Sequence, residues 1–295
     1  MPRLDKRLEL FIWLVVFAAM ILSGKYVLNP TDREAEKQQT VRIGYVSWAE
    51  GIAMTYLAKV LLEKELGCNV ELVMADPAPI FTSLANGDLD FFLDAWLPVT
   101  HQTHMDKYGD VLMKLGANYE DARIGLVVPA YVNMASIPEL AEKTVLFGGN
   151  ITGIDSGAGI MEATHRAIDV YGLNMNLLTS SGAAMTASLK DAVQDREPIV
   201  VTGWKPHWMF ARWDLKFLDD PSKVYGKSEN IYTIGRHGVS QDMPEVVNFF
   251  EKFHFNDRQI GSLMDSLNDA PSQEEAARAW AREHRELVES WFKNS

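Results

Sequence analysis

From Val41 onward the chain alternates segments of strand and helix character, and this constrains the fold more than any other feature of its 295 residues. VRIGYV sets Val41, Ile43 and Tyr45 at period two. IAMTYLAKVLLEKEL then carries Ala53, Leu57, Val60 and Leu61 at helical spacing and stops at Gly67. NVELVMA predicts a strand, FTSLANG a short helix, DLDFFLDAW a strand, and MDKYGDVLMKLG a helix ending at Gly116. Parallel strands need crossover connections, so a parallel-type sheet with helices on its faces is expected. ARIGLVVPAYV, residues 122–132, reads as a long strand interrupted by Pro129, which sheets accept only at edges or irregular places. Such a strand suits a crossing between two lobes. A short helix around Ile137 to Leu140, a strand TGID, helices IMEATHRAIDVYG and AAMTASLKDAV, and a strand PIVVTGW compose a second α/β lobe; NIYTIGRHG is the return crossing. The helical tail from Pro244 packs back on the first lobe. The expected boundaries are 41–127 plus 232–295 for lobe I and 128–231 for lobe II.

The N-terminus has its own character. Arg3, Lys6 and Arg7 precede an unbroken apolar run at residues 10–22, the layout of a secretory signal. No A-x-A cleavage site follows it, and no cysteine stands behind it to take a lipid. Residues 1–24 therefore read as either a cleaved signal or a retained membrane anchor, and residues 25–40 as a polar linker. Either way the folded part is exported, to the periplasm or the outer face of the cytoplasmic membrane. A net charge of −12 argues against nucleic acid and anionic membrane surfaces as partners. Cys68 is the single cysteine, which excludes an intrachain disulfide, a thiolate metal cluster and a CxxC pair.

Chemistry enters with three tryptophans. Trp48 follows VRIGYV, Trp96 ends DLDFFLDA and Trp204 ends PIVVTG, each where a strand gives way to a turn. Open α/β sheets place ligands beyond the carboxyl ends of their strands, so the three indoles suit an aromatic box. Indole faces attract the spread charge of a cation without hydrogen-bond donors, such as a quaternary ammonium. The competing reading is that each packs an adjacent helix, the common fate of tryptophan; Trp208, Trp213, Trp280 and Trp291 are read in that way. DSGAGIM opens a helix with small residues, which exposes the backbone amides of Gly159 and Ile160 at the positive end of a helix dipole and suits a carboxylate. Plain turn geometry also explains it, and a dinucleotide loop would need a third glycine that is not there. His101, five residues after Trp96, can donate to such a carboxylate or, protonated, pair with it. A metal site at His101 and His104 with Asp94 or Asp106 is disfavoured, because the i,i+4 spacing and a third ligand are missing.

These segments together resemble a known family. SWAEGIA, NGDLDFFLDAWLPVTH, IGLVVPAYVN, GIDSGAGIM, SSGAAMTASLKDAV, VVTGWKPHWMFARWDLKFLDDP and NIYTIGRHG are similar to the glycine betaine/proline betaine substrate-binding proteins of ABC importers. The resemblance implies an α/β, two-lobed Venus-flytrap fold of the type II periplasmic binding proteins, with the ligand in the cleft between lobes. It also implies a cage of Trp48, Trp96 and Trp204 around a trimethylammonium group, with His101 and the amides of Gly159 and Ile160 on its carboxylate. The implied partners are a small betaine and an ABC permease in the cytoplasmic membrane, met by a monomer that carries no cofactor and no metal.

Three rivals stand beside this reading. An enzyme acting on betaines would use Asp94, Asp155 or His101, but no nucleophile elbow, metal triad or phosphate loop is present. A membrane-held sensor would use the same ligand domain, although 24 N-terminal residues leave no cytoplasmic domain to signal with. A choline or carnitine binder is the third; choline lacks a carboxylate and would leave His101 and the two amides without a partner.

Overall fold

The computed structural model describes residues 38–293. The apolar N-terminal run and most of the linker lie outside the described residues. The strands are β1 (Thr40–Tyr45), β2 (Asn69–Met74), β3 (Phe91–Leu97), β4 (Leu112–Pro129), β5 (Asn150–Thr152), β6 (Asn176–Leu178), β7 (Val201–Lys205), β8 (Leu215–Phe217) and β9 (Glu229–Arg236). Among the described residues they form one sheet in the order β2-β1-β3-β9-β4-β7-β5-β6, with β8 on β4. The flanks are parallel as expected, β1 with β2 and β3, and β5 with β6 and β7. The centre is antiparallel, because β4 and β9 cross as extended chain without intervening helices.

The crossing strand is longer than its sequence suggests. β4 runs beside β9 from Leu112 to Ala122, then continues beside β7 from Arg123 to Val127. Pro129 sits at its end, opposite Leu215 of β8. The helix expected to reach Gly116 stops at Tyr108. The correction has a steric cause: a Cβ on Gly116 would stand 2.5 Å from the carbonyl oxygen of Glu251, so this glycine admits a neighbouring backbone and does not end a helix. The strand expected at TGID likewise lies earlier, at β5, and its last residues form the turn leading to DSGAGIM.

The helices are α1 (Ala49–Glu65), α2 (Pro77–Asn86), α3 (Gln102–Tyr108), α4 (Gly159–Tyr171), α5 (Gly182–Asp195), α6 (Met209–Arg212), α7 (Val239–Asp242), α8 (Pro244–Lys252), α9 (Asp257–Asn268), α10 (Gln273–Glu283) and α11 (Arg285–Phe292). Ala53, Leu57, Val60 and Leu61 of α1 are buried, since that helix lies between β1–β3 on one side and α9 and α10 on the other. α2 starts on Pro77, whose missing N–H costs nothing in a first turn, and ends at Gly87 in the left-handed region with φ of 80°. The last segment of the tail, SQEEAARAWAREHRELVESWF, reads as one helix but breaks at His284, which leaves helical geometry and stacks on Trp280 at 3.9 Å. Phe249, Phe250, Phe253, Phe255 and Trp291 form a continuous aromatic cluster there. Each such buried ring is worth about 1.5–3 kcal/mol, which fastens the tail against the sheet and leaves the strand ends free to hold a ligand.

Candidate ligand-binding site

At the carboxyl ends of β1, β3 and β7 the structure brings Trp48, Trp96 and Trp204 to one cavity, together with Gly159 and Ile160. Glu50, Thr100, Ile124, Ile154 and Ala158 complete its wall. The cavity among them is about 20 Å³, room for about one water and far below the ~300–1,000 Å³ of small-molecule sites, so a ligand would have to part these walls to enter. Each indole arrives by a separate local device. Trp48 is the residue before α1, Trp96 is the penultimate residue of the fully buried β3, and Trp204 pairs with Ile124 across β4 and β7. All three are at most 5% exposed.

The start of α4 lines the same cavity. Gly159 and Ile160 are its first two residues, so their amides have no acceptor within the helix. Gly159 is also a point of close approach. A Cβ there would stand 2.6 Å from Thr100 Cγ2 and 2.8 Å from the Thr100 carbonyl oxygen. Thr100 cannot easily yield, because the Glu229 carboxylate accepts from its N–H at 2.7 Å, from the Val99 N–H at 2.8 Å and from the Thr100 hydroxyl. On the same loop, Val99 lies against Gly226, where a Cβ would be 3.1 Å from Val99 Cγ1.

His101 stands behind the cavity and not in its wall. Its ring stacks on Trp48 at 5.8 Å, and its Nδ1 accepts from the Trp96 N–H at 3.0 Å, so the neutral ring carries its proton on Nε2. Burial pulls the imidazole down to about 3, which removes the protonated form from consideration near neutral pH. With Thr100, Ala158 and Gly159 it lines an adjacent groove. Among the described residues no three His, Cys, Asp or Glu side chains are placed to hold a metal ion.

Two carboxylates complete the site, and sequence reasoning missed the role of both. Trp204 Nε1–H donates to Glu50 Oε2 at 2.7 Å, and Trp96 Nε1–H donates to Asp94 Oδ1 at 2.9 Å. Both acids are about 1% exposed. Burial, with the Asp94 charge adding to it, holds the Glu50 carboxyl well above the usual range, and burial pushes Asp94 up to about 7. The signal for Asp94 was legible, since Asp94 and Trp96 are two apart on one strand and share a face. Glu50 gave none, because an acidic residue in a first helical turn is expected on dipole grounds alone.

A curled mixed sheet whose strand ends enclose one small aromatic cavity is the fold of the type II periplasmic binding proteins. The chain belongs to the OpuAC family, the substrate-binding domain of ABC-type glycine betaine transport systems, whose model matches residues 39–283. It is 49% identical over 144 residues to GbuC, the glycine betaine/carnitine transport binding protein of Listeria monocytogenes. That match covers 48% of each chain, so it spans about half the length of this curated relative. Lactococcal OpuAC, in its closed-liganded conformation with glycine betaine, aligns with a TM-score of 0.81 at 37% identity, covering 87% of this chain and 100% of that one. ProX of Borrelia burgdorferi aligns with a TM-score of 0.83 at 36% identity, covering 87% and 97%. A choline-binding protein in complex with choline aligns at 0.79 with 26% identity, covering 85% and 91%.

Proposed function

We propose that this chain is the extracytoplasmic receptor of an ABC importer, that it binds glycine betaine or a related quaternary-ammonium zwitterion, and that it presents the closed complex to a membrane permease as a monomer. The observation that carries the reading is the mixed lining of the cavity: three indoles and Glu50 together with the first two residues of α4, whose amides are free of helix acceptors. A methylated cation suits the indoles and a carboxylate the amides. In this reading Trp48, Trp96 and Trp204 hold the ammonium, the amides of Gly159 and Ile160 hold the carboxylate, and His101 orders the loop between them. The likeness to lactococcal OpuAC with glycine betaine supports the ligand class.

The same reading divides the chain into lobe I, residues 41–127 plus 232–295, and lobe II, residues 128–231. The exchange of β4 partners between Ala122 and Arg123 supports a hinge close to this boundary. Trp48, Trp96 and Thr100 then face Trp204, Gly159 and Ile160 across the cleft, and the ligand bridges them. Transport is favoured over sensing, and binding over turnover, by the family. Choline ranks below the betaines, since it would leave the α4 amides without a carboxylate. The basic and apolar N-terminal sequence supports a location in the periplasm or at the outer face of the cytoplasmic membrane.

Calorimetric titration with glycine betaine, proline betaine, carnitine and choline tests the assignment. Trp204→Ala removes one cation–π face and opens the cavity, so the expected loss in betaine affinity is about tenfold or more. Wild-type affinity in that variant would overturn the cage.

A further inference from the structure

The wall of the cavity contains one ionisable side chain, Glu50, and no lysine or arginine. Asp94 lies close enough that its charge acts on Glu50. Each acid gives one oxygen to an indole N–H of the cage, and each keeps a second oxygen, Glu50 Oε1 and Asp94 Oδ2, buried without any donor. Two buried carboxylates with no cationic partner cannot both ionise, and two fully protonated ones would leave the ammonium end of the ligand with no negative side chain beside it. The remaining neighbours do not change this balance. His101 stacks on Trp48 and His207 meets the Trp204 ring edge-on at 4.7 Å; burial pulls both imidazoles down to about 3, so neither is charged near neutral pH. Asp155, next to the cavity residue Ile154, is a further carboxylate with a buried unpartnered oxygen, and it adds no positive charge.

We propose that Glu50 and Asp94 act as a one-proton carboxylate pair behind the tryptophan cage, whose single negative charge is the counter-charge of the bound ammonium and selects it over a neutral group of the same shape. This rests on the reading of the cavity as a betaine site. The pair works in two ways. Its charge faces the cation directly through Glu50, and an ionised acceptor on an indole N–H enriches the ring face that the cation touches. It also explains why the acids come as a pair: when one holds the proton the other holds the charge, and both indoles keep an acceptor throughout.

The test compares glycine betaine with the anion of tert-butylacetic acid, in which a carbon replaces the quaternary nitrogen. Full-length wild type, Glu50→Gln, Asp94→Asn and the double variant are titrated with both. Each amide retains an oxygen for its indole, so cage geometry is kept. Either single variant leaves one carboxylate to carry the charge, and its betaine affinity should fall less than about fivefold. The double variant loses the charge, and its preference for betaine over the carbon analogue should collapse by about tenfold or more. A purely structural role would weaken both ligands alike. An unchanged preference in the double variant overturns the pair while leaving the betaine reading intact; failure of wild type to bind betaine overturns the betaine reading itself. Infrared spectroscopy of wild type supplies a measurement that needs no variant. A protonated carboxyl band at neutral pH is expected, and its absence overturns the shared proton.

Discussion

Gly159→Ala should separate ligand binding from folding. The added Cβ would stand 2.6 Å from Thr100 Cγ2 and 2.8 Å from the Thr100 carbonyl oxygen, against the ~3.5–4.0 Å at which carbon atoms pack comfortably. Thr100 is held by Glu229 through its N–H and hydroxyl, so the start of α4 must retreat by roughly 1 Å, carrying the Gly159 and Ile160 amides with it. Overpacking of this kind costs about 1–3 kcal/mol. If the two parts meet only when the cleft closes on ligand, that cost falls on the liganded state alone, and betaine affinity should drop roughly 5- to 150-fold. The unliganded protein should unfold at an unchanged or slightly higher temperature, because alanine favours a helix over glycine. Gly182→Ala is the matched control: its Cβ would meet Ser47 O at 3.7 Å and Trp204 at 3.8 Å, ordinary contacts, so affinity should stay within about twofold. Calorimetry, with thermal unfolding in the presence and absence of betaine, reads both quantities. Equal affinities in the two variants would refute the steric argument, and an equal loss of unliganded stability would refute its assignment to closure.

Asp94→Asn should change how unliganded stability depends on pH. The folded-state value of Asp94 lies above its unfolded value, at about 7, so the native protein holds this proton more tightly and stability falls as pH rises from about 4 to 7. The full difference is up to about 4 kcal/mol, and the variant should gain on wild type by a substantial part of it in urea unfolding between those limits. His101 and His207, depressed to about 3, contribute the opposite slope below about 6.5 in both proteins and drop out of the comparison. A pH-independent difference between the two proteins would show that Asp94 is not held protonated. Gly116→Ala places a Cβ 2.5 Å from a backbone oxygen of α8 and should lower the unfolding temperature by about 2–10 °C, whether or not ligand is present. An unchanged melting temperature would mean that α8 can move away from β4 at no cost.

What the sequence made legible depended on how local the cause was. VRIGYV and the α1 pattern follow from periodicity and stand where the pattern put them, whereas the helix expected at FTSLANG begins four residues earlier, on Pro77. Gly116 misled because a glycine required by a distant backbone looks the same as one that stops a helix. His284 was invisible for a similar reason, since its helix break is supported by stacking on Trp280. At the site, the three tryptophans and the Gly159–Ile160 turn were legible because each sits at a strand or helix end, positions that topology gathers together. The Glu50–Trp204 hydrogen bond joins residues 154 apart, and no local spacing announces it.

The contacts at Gly159 and Gly226 divide the labour of the site in a way that bears on how such receptors diverge. Where Thr100 and Val99 meet the facing part of the chain they meet glycine, a surface without side chains of its own. On the proposed reading, ligand preference would reside elsewhere, in the indoles and the acids behind them. A lineage can therefore exchange cage residues and drift from one methylated cation to another while inheriting the same means of shutting. Substitution at the glycines would act on every ligand alike, which makes them positions where descendants with different diets should still agree.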